Sequence, residues 1–421
     1  MTSASVSTSD KLSVILVSTN FSQQMGGEAI KAFQIYQELV KQGVDVHQIT
    51  HVRVKREMDE SFPGMSISYV EDTKLQKFLY SVKPLQAFQK TVFFWIANKR
   101  IAEALRDRPG AVVHFTSPVS PVIPYFRVPG ATVVIGPLNG NIHYPPTFYN
   151  REPMSYRLRR WTHPLLQFLH RLTNSGKQNA DAILVSGGER TFQSLRMAGC
   201  RDSQLIASID SGVLDRLYEE PRAIHTGRNL RFFQNGRLVV HKGTDMAIRA
   251  LTRTKDPVEL DIIGRGPELE GLKALVNQLA LQDRVKFIEW IPDHSRLAEM
   301  LRQYRAFVFP SLAEANGIVV QEAMVMGLPV IALDWGGPAL LVTPETGVLI
   351  EPRNEEYVIQ ELANAMDRLA EDGELAERMS IAARKSAVEN GFLWSGVIRN
   401  WTEVYHRVLF ARSRQVARAA R

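Results

Sequence analysis

Short apolar runs alternate with amphipathic stretches along this chain, and the alternation occurs in two successive blocks. In the first, Leu12–Ser18 reads as a buried strand, followed by the polar loop TNFSQQMGG. Glu28–Lys41 then places Ile30, Phe33, Tyr36 and Val40 at helical spacing, Gly43 is placed to end that helix, and Val44–Ile49 is the next strand. Val112–Phe115, Ala131–Ile135 and Ala182–Val185 continue the strand series. A polar, irregular stretch at 213–228 reads as a linker. The pattern then restarts with strands at Leu230–Gln234, Val258–Ile263, Val285–Glu289 and Ala306–Phe309, and a helix at Thr244–Thr252. Strands separated by helix-length crossovers pair in parallel, so two α/β halves are predicted, with no shorter repeat that would suggest a solenoid.

Composition narrows the class. A chain of 421 residues has room for roughly two or three domains. Its 45% hydrophobic and 23% charged residues belong to a globular chain and exclude a disordered one. Cys200 is the single cysteine, which excludes an internal disulfide or a cysteine-rich zinc site and suits a reducing compartment. Residues 1–10 lack the basic start and apolar core of a signal peptide. The longest apolar runs, such as Val92–Ala97, are far shorter than the ~20 residues a membrane helix needs. A cytoplasmic protein, soluble or peripheral on the inner face of the cytoplasmic membrane, is expected. The net charge of +7 favours acidic partners.

Two segments, 74–100 and 155–178, interleave Lys and Arg with Phe, Trp and Leu, and Pro84 and Pro164 are expected to interrupt them. Such segments read either as basic amphipathic helices lying on an anionic membrane surface or as helices with one face in the core and a solvated basic face.

The residues with chemical potential cluster at predicted strand ends. Gly26–Gly27 stand where a helix begins after a strand, where free backbone N–H groups can bind anions; a plain tight turn has the same pattern. Arg237 and Lys242 flank the loop after Leu230–Gln234 and match a diphosphate, as an Arg fork and a Lys point charge, or are simply two surface cations. Arg265 belongs to a similar loop, GRGPE. Glu314 precedes a helix expected from Gly317 to about Met326, and Glu322 lies on that helix with Ile318 and Val319. Backbone N–H groups from Asn316 to Val319 have no helical acceptor. Two carboxylates with donors between them suit a ligand with hydroxyls at both ends and phosphates in the middle.

The stretch Glu314-Ala-Asn-Gly-Ile-Val-Val-Gln-Glu322 resembles the EX7E motif of the retaining glycosyltransferases with two Rossmann-like domains, glycosyltransferase family 4. Gly236-Arg237, Lys242-Gly243, the GRGP run at 264–267, the G-L-P-V run at 327–330 and Gly336-Gly337 extend the likeness over most of residues 229–395. The resemblance implies a GT-B fold: two Rossmann-like domains, 11–212 and 229–395, facing across a cleft, and a last helix at about 396–412 crossing back to the first domain ahead of a basic tail. It implies transfer of a sugar from a UDP- or GDP-linked donor to a hydroxyl of a saccharide or lipid-linked acceptor. No metal or other cofactor is required by it, and no Asp-X-Asp pair is present. No nucleic-acid partner is expected.

The resemblance also implies roles. Arg237 and Lys242 would hold the donor diphosphate, Glu314 would contact the transferred sugar and Glu322 the ribose hydroxyls. Gly27, Arg265, Ile291, Asn316, Gly317, Ile318 and Val319 would complete the donor site, with Ile291 near the base. His114, Asn139 and His143 are candidates on the acceptor side. Leu340 departs from the family, which often has a glutamate there. A nucleotide-sugar epimerase and a non-catalytic membrane-associated module are the competing readings.

Overall fold

Runs such as Val14–Val17, Val112–Phe115 and Val330–Leu333 are buried along their whole length because helices cover both faces of each sheet, so their apolar residues do not alternate. The computed structural model describes residues 11–81, 86–140, 142–173, 176–289 and 294–419. The first sheet contains β1 (Ser13–Val17), β2 (Asp45–His51), β3 (Ile67–Val70), β4 (Val112–Phe115), β5 (Thr132–Leu138), β6 (Ala182–Val185) and β7 (Leu205–Ala207). Its order is β3-β2-β1-β4-β5-β6-β7, parallel throughout. The second contains β8 (Arg231–Asn235), β9 (Glu259–Ile263), β10 (Val285–Ile288), β11 (Ala306–Phe309), β12 (Val330–Leu333) and β13 (Gly347–Ile350). It too is parallel, in the order β10-β9-β8-β11-β12-β13. β3, β7 and β13 lie at sheet edges, where part-exposed residues blur the apolar signal that marks the inner strands.

The last helix, Trp394–Ala419, is longer at both ends than the sequence suggested. Its residues Trp394, Val397, Ile398, Trp401, Val404, Tyr405 and Val408 pack with Val14, Leu16 and Leu184, so the end of the chain covers one face of the first sheet. The chain crosses between domains at two adjacent points, and Val213 pairs there with Leu393. The stretch expected to be a linker is packed: it forms a short helix, Asp215–Glu219, and buries Val213, Leu217 and Ala223 in the second core. Its few apolar residues act as anchors that its polar composition masks.

The segment after β5 also crosses over. Tyr144 and Phe148 are buried in the core of the second domain. Thr147 Oγ1 donates to the Pro352 carbonyl (2.5 Å), and Arg151 pairs with Asp245 (2.7 Å).

Pro164 does not interrupt its segment; Met154–Leu172 is one helix with Pro164 inside it. Proline removes one donor, but the following turns are held from outside. Gln167 Nε2 donates to the Pro121 carbonyl (3.0 Å) and to Ser194 Oγ (2.6 Å), and Lys177 Nζ donates to His170 Nδ1 (2.9 Å). Pro84 lies outside the described residues, between helices Lys74–Ser81 and Gln86–Asp107.

Trp401 is 1% exposed and stacks edge-on against His114. Trp401→Ala should cost about 3–5 kcal/mol, the usual range for removing a buried Trp. Hydrogen exchange should show lost protection in β1 and β4 and retained protection in β11 and β12. Uniform loss across both sheets would contradict this packing.

Candidate active site

β8 and β11 are neighbours at the centre of the second sheet, and the chain leaves them toward opposite sides. Such a switch in strand order leaves a crevice at the carboxyl ends of the strands, where ligands of open α/β sheets bind. Two loops meet there. The loop after β8 carries Arg237, the turn Val240–Lys242 and Gly243, and ends in the helix Thr244–Leu251. The loop after β11 carries Glu314 and ends at Gly317, which caps the helix Ile318–Val325.

Backbone contacts lock the loops together. The His241 carbonyl accepts from the Leu312 N–H (2.7 Å) and from Ser311 Oγ (3.2 Å). Gly243 has a φ of +66°, and a Cβ on it would stand 2.3 Å from the Pro310 carbonyl oxygen, so only glycine is accommodated. Gly336 is under the same constraint: its φ is +67° and a Cβ would stand 2.5 Å from the Glu314 carbonyl oxygen. The Gly337 N–H donates to that same carbonyl (2.9 Å). The glycine pair therefore supports the loop that presents Glu314.

In the crevice, Lys242 Nζ forms an ion pair with Glu314 and lies 4.7 Å over the Phe309 ring. Arg237 is exposed and makes no ion pair among the described residues. Backbone N–H groups of Asn316, Gly317, Ile318 and Val319 point out of the helix start, and the first helical bonds run from Val320 and Gln321 to the Gly317 carbonyl. Glu322 is half-buried, and its carboxylate has no hydrogen bond or ion pair among the described residues. Burial pushes its pKa up to about 7. Burial, followed by the charge of Lys242, lowers the pKa of His241 and favours the neutral imidazole.

The first domain supplies the facing wall. Asp210 pairs with Lys31 and accepts from Asn139 Nδ2 (2.5 Å). The Asp210 N–H donates across the cleft to Asn316 Oδ1 (3.3 Å), which Ser186 Oγ also approaches (3.5 Å). His143 offers its carbonyl to Trp335 Nε1 (2.8 Å). The Tyr156 ring lies 6.0 Å from that of His241. Gly27 is exposed at the start of the helix Gly27–Lys41.

Among the sequence candidates, His114 lies outside the crevice, while the Arg265 carbonyl accepts from the Leu238 N–H (2.9 Å) beside Arg237. His114 is corrected as an acceptor contact. It is fully buried, with Nδ1 bonded to Tyr405 Oη (2.7 Å) and Nε2 to the Gly136 carbonyl (2.8 Å), so one ring nitrogen joins β4 to the last helix and the other joins it to β5. Arg265 pairs with Glu289 at the exposed surface (2.7 Å). Ile291 lies outside the described residues. Leu340, the residue that departs from the resembled family's frequent glutamate, is exposed beside Gly188. Sequence reasoning missed Lys31, Asp210, Tyr156, Arg190 and Trp335. A lone Lys, Asp or Trp carries no spacing signal of its own, and these residues meet only in the tertiary structure.

Residues 220–386 match the family Glycosyl transferases group 1. The second domain is thus a group 1 glycosyltransferase domain. Alpha-D-kanosaminyltransferase of Streptomyces kanamyceticus is 34% identical over 149 residues, covering 34% of this chain and 37% of its own length. The matched stretch thus spans well under half of that relative. Sucrose-phosphate synthase of Thermosynechococcus elongatus superposes with a TM-score of 0.63 at 20% identity, over 95% of this chain and 100% of its own. Anabaena HepE, solved with UDP and glucose, gives a TM-score of 0.59 at 17% identity over 94% and 100%. These likenesses show that the two sheets and the last helix form a GT-B fold. Among the described residues, no helix is long and apolar enough to cross a membrane, and no group of three or more His, Cys, Asp or Glu could hold a metal ion.

The raised pKa of Glu322 gives a signed expectation. Its stabilising contribution in the protonated form is fully present below the ordinary carboxyl value of 4.5 and is lost as pH rises through about 7. Melting of wild type relative to Glu322→Gln should therefore worsen between pH 4.5 and 7.5, by about 1–3 kcal/mol in all. A difference independent of pH would show that Glu322 is not desolvated.

Proposed function

We propose that this protein is a retaining glycosyltransferase, moving a sugar from a UDP- or GDP-linked donor to a hydroxyl of a saccharide or lipid-linked acceptor in glycan assembly. The observation that carries the reading is the charge layout of the crevice. A carboxylate paired with Lys242 and a second carboxylate without a partner flank unpaired N–H groups, with Arg237 free beside them. The donor diphosphate would take Arg237, Lys242 and the N–H groups near Gly317, and Glu322 would accept from the ribose hydroxyls.

In the transfer, the bond from the sugar's anomeric carbon to the diphosphate oxygen breaks. A bond to the acceptor oxygen forms on the same face. The acceptor proton passes to the leaving phosphate, so no protein base is required. Negative charge growing on the diphosphate is met by Arg237 and Lys242. Freed from Lys242, Glu314 would orient the transferred sugar and favour its developing positive charge.

The helix Met154–Leu172 supports peripheral binding to an anionic membrane. Met154, Leu158, Trp161, Leu165, Phe168 and Leu172 recur every three or four residues, and all are exposed; Trp161 is 77% exposed. The helix contains Arg157, Arg159, Arg160 and Arg171 and no acidic residue. An apolar stripe flanked by bases matches a bilayer surface with acidic headgroups. Leu75, Phe78 and Trp95 of the other basic segment are exposed as well.

Steady-state kinetics with a panel of nucleotide-sugars tests the transfer. Arg237→Ala or Lys242→Ala should reduce turnover by about 10²-fold or more. Glu314→Gln should lower turnover with little change in donor KM, whereas Glu322→Gln should raise donor KM more than it lowers turnover. Unchanged turnover in Glu314→Gln would remove its assigned role. A new nucleotide-sugar formed without acceptor would replace transfer by epimerisation.

Co-sedimentation with vesicles tests the surface. Wild type should bind vesicles containing phosphatidylglycerol in a salt-sensitive way and pure phosphatidylcholine weakly. Trp161→Glu with Phe168→Glu should release it. A concentration-dependent dimer in gel filtration, lost in the same variant, would assign the stripe to a second copy of the chain instead.

A further inference from the structure

The wall of the cleft opposite Glu314 holds a cation that nothing in the proposed transfer yet uses. Arg190 is the second residue of the helix Glu189–Met197, just after the turn Gly187–Gly188 that follows β6. It is half-buried, and it makes no ion pair and no side-chain hydrogen bond among the described residues. Its guanidinium lies 3.6 Å from the centroid of the Trp335 ring, so its position is set by stacking while its N–H donors stay uncommitted.

The surroundings lack an anion to answer it. Trp335 holds the His143 carbonyl, and His143 Nδ1 is buried without a hydrogen-bond partner. Burial, then the charges of Arg190, His163 and Arg160, pull the His143 imidazole down to about 4. Glu152 has a fully buried side chain and pairs with Arg160 (3.2 Å), and Glu189, next to Arg190 in the chain, pairs with Arg196 (2.6 Å). Arg160 in turn stacks 3.7 Å from the centroid of the Tyr149 ring. A half-buried guanidinium, aimed by an aromatic ring and left without a carboxylate, forms a site for an oxyanion.

Its place in the cleft says which ligand brings that anion. A Cβ on Gly187, three residues before Arg190, would lie 3.6 Å from the Ala315 carbonyl oxygen and 3.9 Å from Asn139 Cβ. The turn leading to Arg190 therefore borders the loop of Glu314 from the first-domain side. Arg237 and Lys242 approach that loop from β8, on the second domain. We propose that Arg190, seated on Trp335 beside His143, binds a phosphate or carboxylate group on the acceptor. The acceptor class is then an anionic saccharide. This assignment rests on the proposed transfer for the word acceptor, while the oxyanion site itself does not.

Isothermal titration with glucose 6-phosphate, glucuronate and uncharged glucose tests it on the full chain presaturated with UDP, which leaves the donor diphosphate site filled. Wild type should bind the two anionic sugars at least tenfold more tightly than glucose. Arg190→Gln should lose tenfold or more for the anionic sugars with no change for glucose. Arg190→Lys should recover part of the loss, because it restores charge without the fork. Preference for glucose 6-phosphate over glucuronate names phosphate as the group, and the reverse names carboxylate. Anion binding retained in both Arg190→Gln and Arg190→Met overturns the proposal, as does binding lost in Arg237→Ala but kept in Arg190→Gln, and as does wild type that binds no anionic sugar. If Arg190 variants lose anion binding while no nucleotide-sugar supports transfer, the oxyanion site stands and the transfer reading falls.

Discussion

The reversal of strand order between β8 and β11 is the constraint on which the site depends. Because the chain leaves these adjacent strands in opposite directions, neither connection covers the crevice above their carboxyl ends. Lys242 arrives from one strand and Glu314 from the other, and they pair in the gap. The backbone contacts of Gly243 with Pro310 and of Gly336 with Glu314 make that meeting rigid, since no side chain can be inserted between the loops without moving one of them. Placement of a charged pair by packed backbone requires little reorganisation when a ligand arrives, which is what electrostatic stabilisation of a transferring group demands.

Charge is left deliberately unbalanced around this pair. Glu322, Arg237 and Arg190 are each without a counter-charge among the described residues, and two of them are half-buried. Leaving such groups unpaired costs stability, and the cost is recovered only when a ligand supplies the missing partner. The signs are segregated along the cleft: cations at the β8 loop and at the start of the helix after β6, carboxylates on either side of Gly317. The proposed donor, made of phosphate, ribose and sugar parts, would call for that order.

The two domains are bound together by apolar and polar means that differ in kind. The last helix is committed to the first sheet through Trp394, Trp401 and Tyr405, and the segment with Tyr144 and Phe148 is committed to the second core. The cleft itself is bridged by isolated polar contacts, such as Asp210 with Asn316 and Trp335 with His143. Burial of several aromatic side chains outweighs a few part-buried hydrogen bonds, so any change in cleft width would fall on the polar bridges while the apolar anchors hold.

Local pattern alone determined the α/β class, the central strands, and the stretch in which two glutamates flank a glycine-started helix. A strand buried on both faces must be apolar throughout, and a glycine needed for close backbone approach leaves its mark at a strand end. Edge strands such as Ile67–Val70 escaped because one side is part-exposed, and the continuity of Met154–Leu172 escaped because bonds from Gln167 and Lys177 hold the helix beyond its proline. His114 and His143 look alike in sequence, each a histidine near a strand, yet the last helix buries one and the cleft receives the other. Only the tertiary structure decided that, and only it brought Arg190 to Trp335 across 145 positions of chain. Periodicity and backbone chemistry act over a few residues, whereas the facing of loops is set by strand order and by which core each crossing segment joins.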